Sequence, residues 1–135
     1  MDVDKKFQES LQSVKLLDEE LKIVCGFLDE VARFSRPETG LDYVVWMGEV
    51  GGQHGPRIKV SNNKGKMTAN DSFVVSVSKN PVVLTPRTCK LSASTVDDIL
   101  DWIKINYEIL MEMWEVFEGR KEEPIAMLIG RLRKI

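Results

Sequence analysis

Apolar spacing divides the chain into helical stretches on either side of a stretch of alternation. Near the N-terminus, Phe7, Val14, Leu21 and Leu28 recur every seven residues, and Leu17, Val24 and Val31 follow the last three of them by three. That is an a/d seam with Ser10 as its polar intrusion, and it predicts a long N-terminal helix over residues 4–36. Leu11, Leu16, Ile23 and Phe27 lie off the seam, so the apolar face is wider than a strict coiled coil requires. Such a helix would run to about 45 Å, longer than a small domain readily covers. The seam of Phe7, Val14, Leu17, Leu21, Val24, Leu28 and Val31 is therefore expected to form a homodimer interface. Arg36-Pro37 and then Glu38-Thr39-Gly40 end the helix, because a residue before proline disfavours helical angles.

Between residues 42 and 90 the period falls from 3.6 to 2. Tyr43, Val45 and Met47 alternate with Val44 and Trp46 up to Val50, and Gly51-Gly52-Gln53-His54-Gly55 then turns the chain. Pro56 to Ser61 reads as a strand with Ile58 and Val60 inward and Arg57 and Lys59 outward. Asn62-Asn63-Lys64-Gly65 has the composition of a positive-φ turn. Phe73, Val75 and Val77 share one face of the next strand, and Lys79-Asn80-Pro81 leads into Val82-Val83-Leu84. A helix over 94–118 follows, with Ser94 as N-cap and Asp97, Asp98 and Asp101 suited to its positive end. It carries two apolar stripes, one through Ile99, Ile103, Leu110 and Trp114 and one through Trp102, Ile105, Ile109 and Met113. Two stripes require cover on two sides, by the sheet and by the N-terminal helix or a second subunit. Pro124 opens a short C-terminal helix over 124–135. The fold class expected is α+β, a small antiparallel sheet of three to four strands packed on a long helix, in one domain over 1–135.

Charge adds a regional contrast. Arg57, Lys59, Lys64, Lys66, Lys79, Arg87 and Lys90 face a lone Asp71 between residues 54 and 93, a local charge of +6 in a chain of net −2. Everything else therefore sums to −8. The split makes an anionic partner worth testing without naming one. Hydrophobic and charged shares of 43% and 30% are those of a globular domain, and no apolar run reaches the roughly 18–20 residues of a membrane span. Cys25 and Cys89 lack ligand spacing and an export signal, so reduced thiols and a cytoplasmic location are expected, with no membrane partner.

Candidate chemistry is sparse. Gly48, Gly51, Gly52 and Gly55 suggest a phosphate cradle, but the loop opens a strand rather than a helix N-terminus, so a hairpin turn is favoured. Lys64-Gly65-Lys66-Met67 lacks the hydroxyl that follows a P-loop lysine. His54 is the sole histidine and has no second ligand at metal spacing, which favours a solvent-facing turn residue. Trp102 and Trp114 fall in apolar stripes, so they read as core anchors before stacking platforms. No catalytic set, metal or cofactor site is expected. The basic strand remains as a contact surface, formed by Arg57, Lys59, Asn62, Lys64 and Lys66 beside His54, against the alternative of an ordinary solvated face.

Pro56-Arg57-Ile58-Lys59-Val60, followed by Asp101-Trp102-Ile103-Lys104-Ile105-Asn106, Leu110 and Trp114, resembles a family of small uncharacterised bacterial and phage proteins. The likeness covers about residues 43–118, and Trp46 through Lys66 is closer still to small phage accessory proteins. The commoner bacterial form alternates two histidines where this chain has Arg57 and Lys59, so no metal or acid–base role carries over. The resemblance implies an α+β fold and a phage or mobile-element origin, and it carries no established activity. The expected function is a non-enzymatic accessory or inhibitory protein that binds a host or viral protein complex. The alternative is a nucleic-acid-binding accessory using the basic strand edge on phosphates.

Overall fold

Strand formation begins inside the segment whose spacing reads as helix. A computed structural model describes residues 27–50, 55–66 and 71–135, and its first element is strand β1, Phe27–Phe34. This corrects the expected helix over 4–36 at its C-terminal end. β1 pairs antiparallel with β2 (Tyr43–Val50), and the register shifts twice, from Phe27↔Val50 to Asp29↔Glu49 and from Glu30↔Gly48 to Ala32↔Met47. Leu28 and Val31 are the skipped residues, each the extra residue of a bulge. Bulges three residues apart turn a period of two into a spacing of three, so Leu28, Val31 and Phe34 mimic one face of a helix. Leu28 and Val31 are thus strand residues and not a helical seam. Phe7, Val14, Leu17, Leu21 and Val24, and the dimer interface that rests on them, lie outside the described residues, as does Cys25.

β3 (Pro56–Lys64) and β4 (Ser72–Ser76) complete a four-stranded antiparallel sheet in the order β1-β2-β3-β4. The strand expected at 82–84 is reduced to a bridge between Val83 and Val75, flanked by Ser76 N–H to Val82 O (3.0 Å) and Leu84 N–H to Val74 O (2.7 Å). These bonds occupy backbone groups that an edge strand leaves open. β3 is consequently an interior strand, and the basic edge expected there is corrected by the pairing on both its sides.

The alternation in β2, β3 and β4 holds. Ala32, Phe34, Val45, Met47, Ile58, Val60, Phe73 and Val75 form one buried face, closed by Ile99, Trp102, Ile103, Leu110, Met113 and Leu128. These last residues come from α2 (Ala93–Ile105), α3 (Tyr107–Phe117) and α4 (Ile125–Ile129), numbered after a single-turn helix α1, Arg36–Thr39. Ser92, not Ser94, caps α2, its hydroxyl accepting the Thr95 N–H at 3.3 Å.

The single helix expected over 94–118 is broken at Asn106. That side chain is fully buried and makes three hydrogen bonds: its amide nitrogen donates to the Trp102 carbonyl (2.8 Å) and the Arg133 carbonyl (2.9 Å), and its oxygen accepts the Arg133 N–H (2.8 Å). Asparagine competes with the backbone for such groups, which suits it to a helix joint. α4 stops at Ile129, so the C-terminal helix is shorter than the expected 124–135, and the tail beyond it is tied to Asn106 instead.

The tail ends against α1. Ile135 N–H donates to the Thr39 carbonyl at 2.9 Å, beside Gly40 at φ +76°. A Cβ on Gly40 would stand 2.5 Å from the Ile135 carbonyl oxygen. Gly40→Ala is therefore expected to destabilise by at least about 1–3 kcal/mol, the cost of a left-handed non-glycine residue. A urea midpoint unchanged from the parent would contradict this expectation.

Candidate functional site

The six residues singled out on the basic segment separate into distinct environments. Trp46 pairs with Arg33 on one side and Lys59 on the other, which forms a cross-strand row on the sheet face away from the helices. Lys59 is only 6% exposed, with its ammonium 5.6 Å from the Trp46 ring centroid. Arg57 is half-buried, donates to the Pro56 carbonyl at 3.1 Å, and burial pushes its guanidinium down from the ordinary value. Neither is the freely solvated cation that alternation predicts.

Asn62 serves the fold. Its amide donates to Asp71 Oδ1 and the Thr88 carbonyl, both at 2.9 Å, and its oxygen accepts the Lys90 N–H at 2.9 Å. Asn63 adds a bond to Asp71 Oδ2 at 3.2 Å, and Lys90 Nζ lies 2.9 Å from Asp71 Oδ1. This knot fastens the end of β3 to the segment after β4. Partial burial alone would raise the Asp71 carboxyl, but the bonds from Lys90, Asn62 and Asn63, with the Lys90 charge, together hold it below its ordinary value. Its contribution to stability is in place above the usual aspartate pKa of about 3.9 and is lost as pH falls through the lower folded value. Asp71→Asn should therefore flatten the acid limb of the stability profile below about pH 4, an effect kept small by solvent access. An acid limb identical to the parent's would exclude this linkage.

Lys64 and Lys66 are exposed. The antiparallel pairing of Tyr43 with Lys64, and a bond from Gly65 N–H to the Asp42 carbonyl (2.9 Å), bring this end of β3 against the start of β2. Between them and α1 lies an open cavity of about 500 Å³, lined by Ser35, Arg36, Pro37, Leu41, Asp42, Tyr43, Val44, Lys64 and Gly65. Pro37, Leu41, Tyr43 and Val44 give it an apolar wall, and Arg36 and Lys64 supply its cations. Arg36 lies 3.1 Å from Asp42 in an exposed pair, which contributes little stability and leaves the guanidinium exchangeable with a ligand carboxylate. Sequence reasoning missed Arg36, because only strand pairing brings it to Lys64. The available signal was the Gly40 turn between a cation and a strand start.

None of the remaining candidates among the described residues lines this cavity. His54 lies outside the described residues. Trp102 is fully buried against Phe34, and Trp114 is 5% exposed and stacked on Phe117, so both are anchors in the packed helices. Asp97, Asp98 and Asp101 are exposed along α2, and among the described residues no group of three or more His, Cys, Asp or Glu is arranged to hold a metal. Cys89 is half-buried, and burial raises its thiol above the ordinary value. Among the described residues no helix is long and apolar enough to cross a membrane. Comparison of the chain with protein-family models, with curated proteins and with solved structures gives no match, so the sheet-end cavity is read from its own geometry.

Proposed function

We propose that the protein is a non-enzymatic accessory protein that binds a protein partner through the cationic sheet end. One observation carries the reading: Arg36 and Lys64 line an apolar-walled cavity, with exposed Lys66 two residues beyond. A partner that fits presents a carboxylate on or beside an apolar side chain, so that charge steers the approach and the wall supplies burial. In keeping with the phage-type resemblance, that partner belongs to a host or viral complex in the cytoplasm, and its occupancy by this protein is inhibitory or accessory. The reading asks only charge and apolar contact of these groups.

Nucleic acid is the second reading, and two observations weigh against it. A phosphate backbone has little use for the wall of Pro37, Leu41 and Tyr43, and Lys59 is withdrawn by burial from the cations that would track it. Salt separates the two. Binding to a protein should weaken mildly between 50 and about 200 mM salt, whereas duplex binding should fall with a log–log slope of about −0.9 per phosphate neutralised. A steep slope with a duplex oligonucleotide would overturn the protein-partner reading.

A further inference from the structure

The rim of the sheet-end cavity is held by the fold before anything enters it. Thr39 is fully buried, and its hydroxyl donates to the Ser35 carbonyl at 3.2 Å and accepts the Leu41 N–H at 2.9 Å, which fixes the turn between α1 and β2. The bond from Gly65 N–H to the Asp42 carbonyl ties the opposite rim to that turn. Such a rim spares a ligand the ordering cost of forming one. The cavity of about 500 Å³ falls within the roughly 300–1,000 Å³ of small-molecule sites.

The lining sets the chemistry of an occupant. Arg36 and Lys64 are its two cations and Asp42 its one carboxylate, so the cavity carries a charge of +1 that a single monoanion neutralises. Tyr43 is the cross-strand partner of Lys64, which sets a phenol ring beside an ammonium on one sheet face. Leu41 is buried at the wall, and Pro37 and Tyr43 give it flat surfaces that suit an aromatic ring. Arg36 lies 3.1 Å from Asp42, but the two side chains are 77% and 48% exposed, so exchanging that pair for a ligand carboxylate costs little. We propose that this cavity is a small-molecule site for an aryl monocarboxylate, whose carboxylate displaces Asp42 from Arg36 while its ring packs on Tyr43, Leu41 and Pro37. The inference rests on the reading of the cavity as a binding site, and it adds a free ligand that competes with the protein partner for Arg36 and Lys64. Asp42 is then the internal competitor that sets the affinity.

Titration of the full ¹⁵N-labelled chain with phenylpropionate tests it, against acetate for the charge alone and phenylpropanol for the apolar group alone. The Leu41, Tyr43 and Gly65 amides are expected to shift together and saturate with one dissociation constant on the order of 1 mM, the strength open to so small a ligand. Both controls should bind at least about tenfold more weakly. Arg36→Gln should weaken phenylpropionate binding about tenfold, the loss of a charge-assisted hydrogen bond. Asp42→Asn should tighten it about two- to fivefold, because the competing carboxylate of an exposed pair is gone. Both residues are exposed, so both variants should keep the parent's urea midpoint. Equal affinity for phenylpropanol, shifts that never saturate, or weaker binding by Asp42→Asn would each overturn the proposal. Absence of these shifts sinks the small-molecule site alone, since capture of a protein partner is measured without the probe.

Discussion

Truncation of Trp102 to alanine is expected to destabilise the protein by about 3–5 kcal/mol, the range for removing a large core aromatic. The ring is fully buried on α2, with its centroid 5.5 Å from that of Phe34 on β1 at an interplanar angle of 54°. It therefore joins the helical layer to the outer strand of the sheet. Among the described residues the indole Nε1–H has no hydrogen-bond partner, a deficit that typically costs about 1–3 kcal/mol. Trp102→Phe removes that unpaired donor while keeping most of the aromatic volume, so its cost should stay below about 2 kcal/mol. Equilibrium urea denaturation of the two variants checks the pair. Equal losses would mean that the indole N–H is satisfied in solution.

Asn106→Asp should cost about 2–4 kcal/mol, because a donor that serves two carbonyls is replaced by an acceptor facing them. The bond accepted from Arg133 N–H is retained in this variant, so the loss reports the two donated bonds. Hydrogen exchange gives the more specific reading. The Ile135 amide, held by Thr39 O, should lose protection together with the tail, while amides in β2 and β3 keep theirs. Uniform loss across the sheet would show that the joint and the tail do not open as a separate unit.

The two variants fall where sequence reading succeeded and where it failed. Trp102 and the alternating Val45, Met47, Ile58, Val60, Phe73 and Val75 were legible, because period and residue type agree with the burial found. β1 was not, since its two bulges rewrite alternation into the three-residue spacing of a helix. Asn106 sits in an unbroken helical pattern, and its role depends on Arg133, a partner that no local pattern reveals. The outward direction of Lys59 was legible but its solvation was not, because alternation assigns a face and cannot say whether that face is covered. For the same reason the candidate site shifted along β3, away from Arg57 and Lys59 and toward Lys64, Lys66 and the unforeseen Arg36. Strand order decided which cations share a surface.

Affinity capture with the parent protein and with the Lys64→Glu/Lys66→Glu double variant tests the sheet-end contact surface most directly. Both residues are exposed, so the variant should fold with a stability change within about 0.5 kcal/mol for each substitution, verified by its urea midpoint. The account predicts that a protein captured by the parent at physiological salt is lost from the variant by at least about tenfold, as expected when attraction is turned to repulsion at a charged contact. Undiminished capture of the same protein by the folded variant would contradict it.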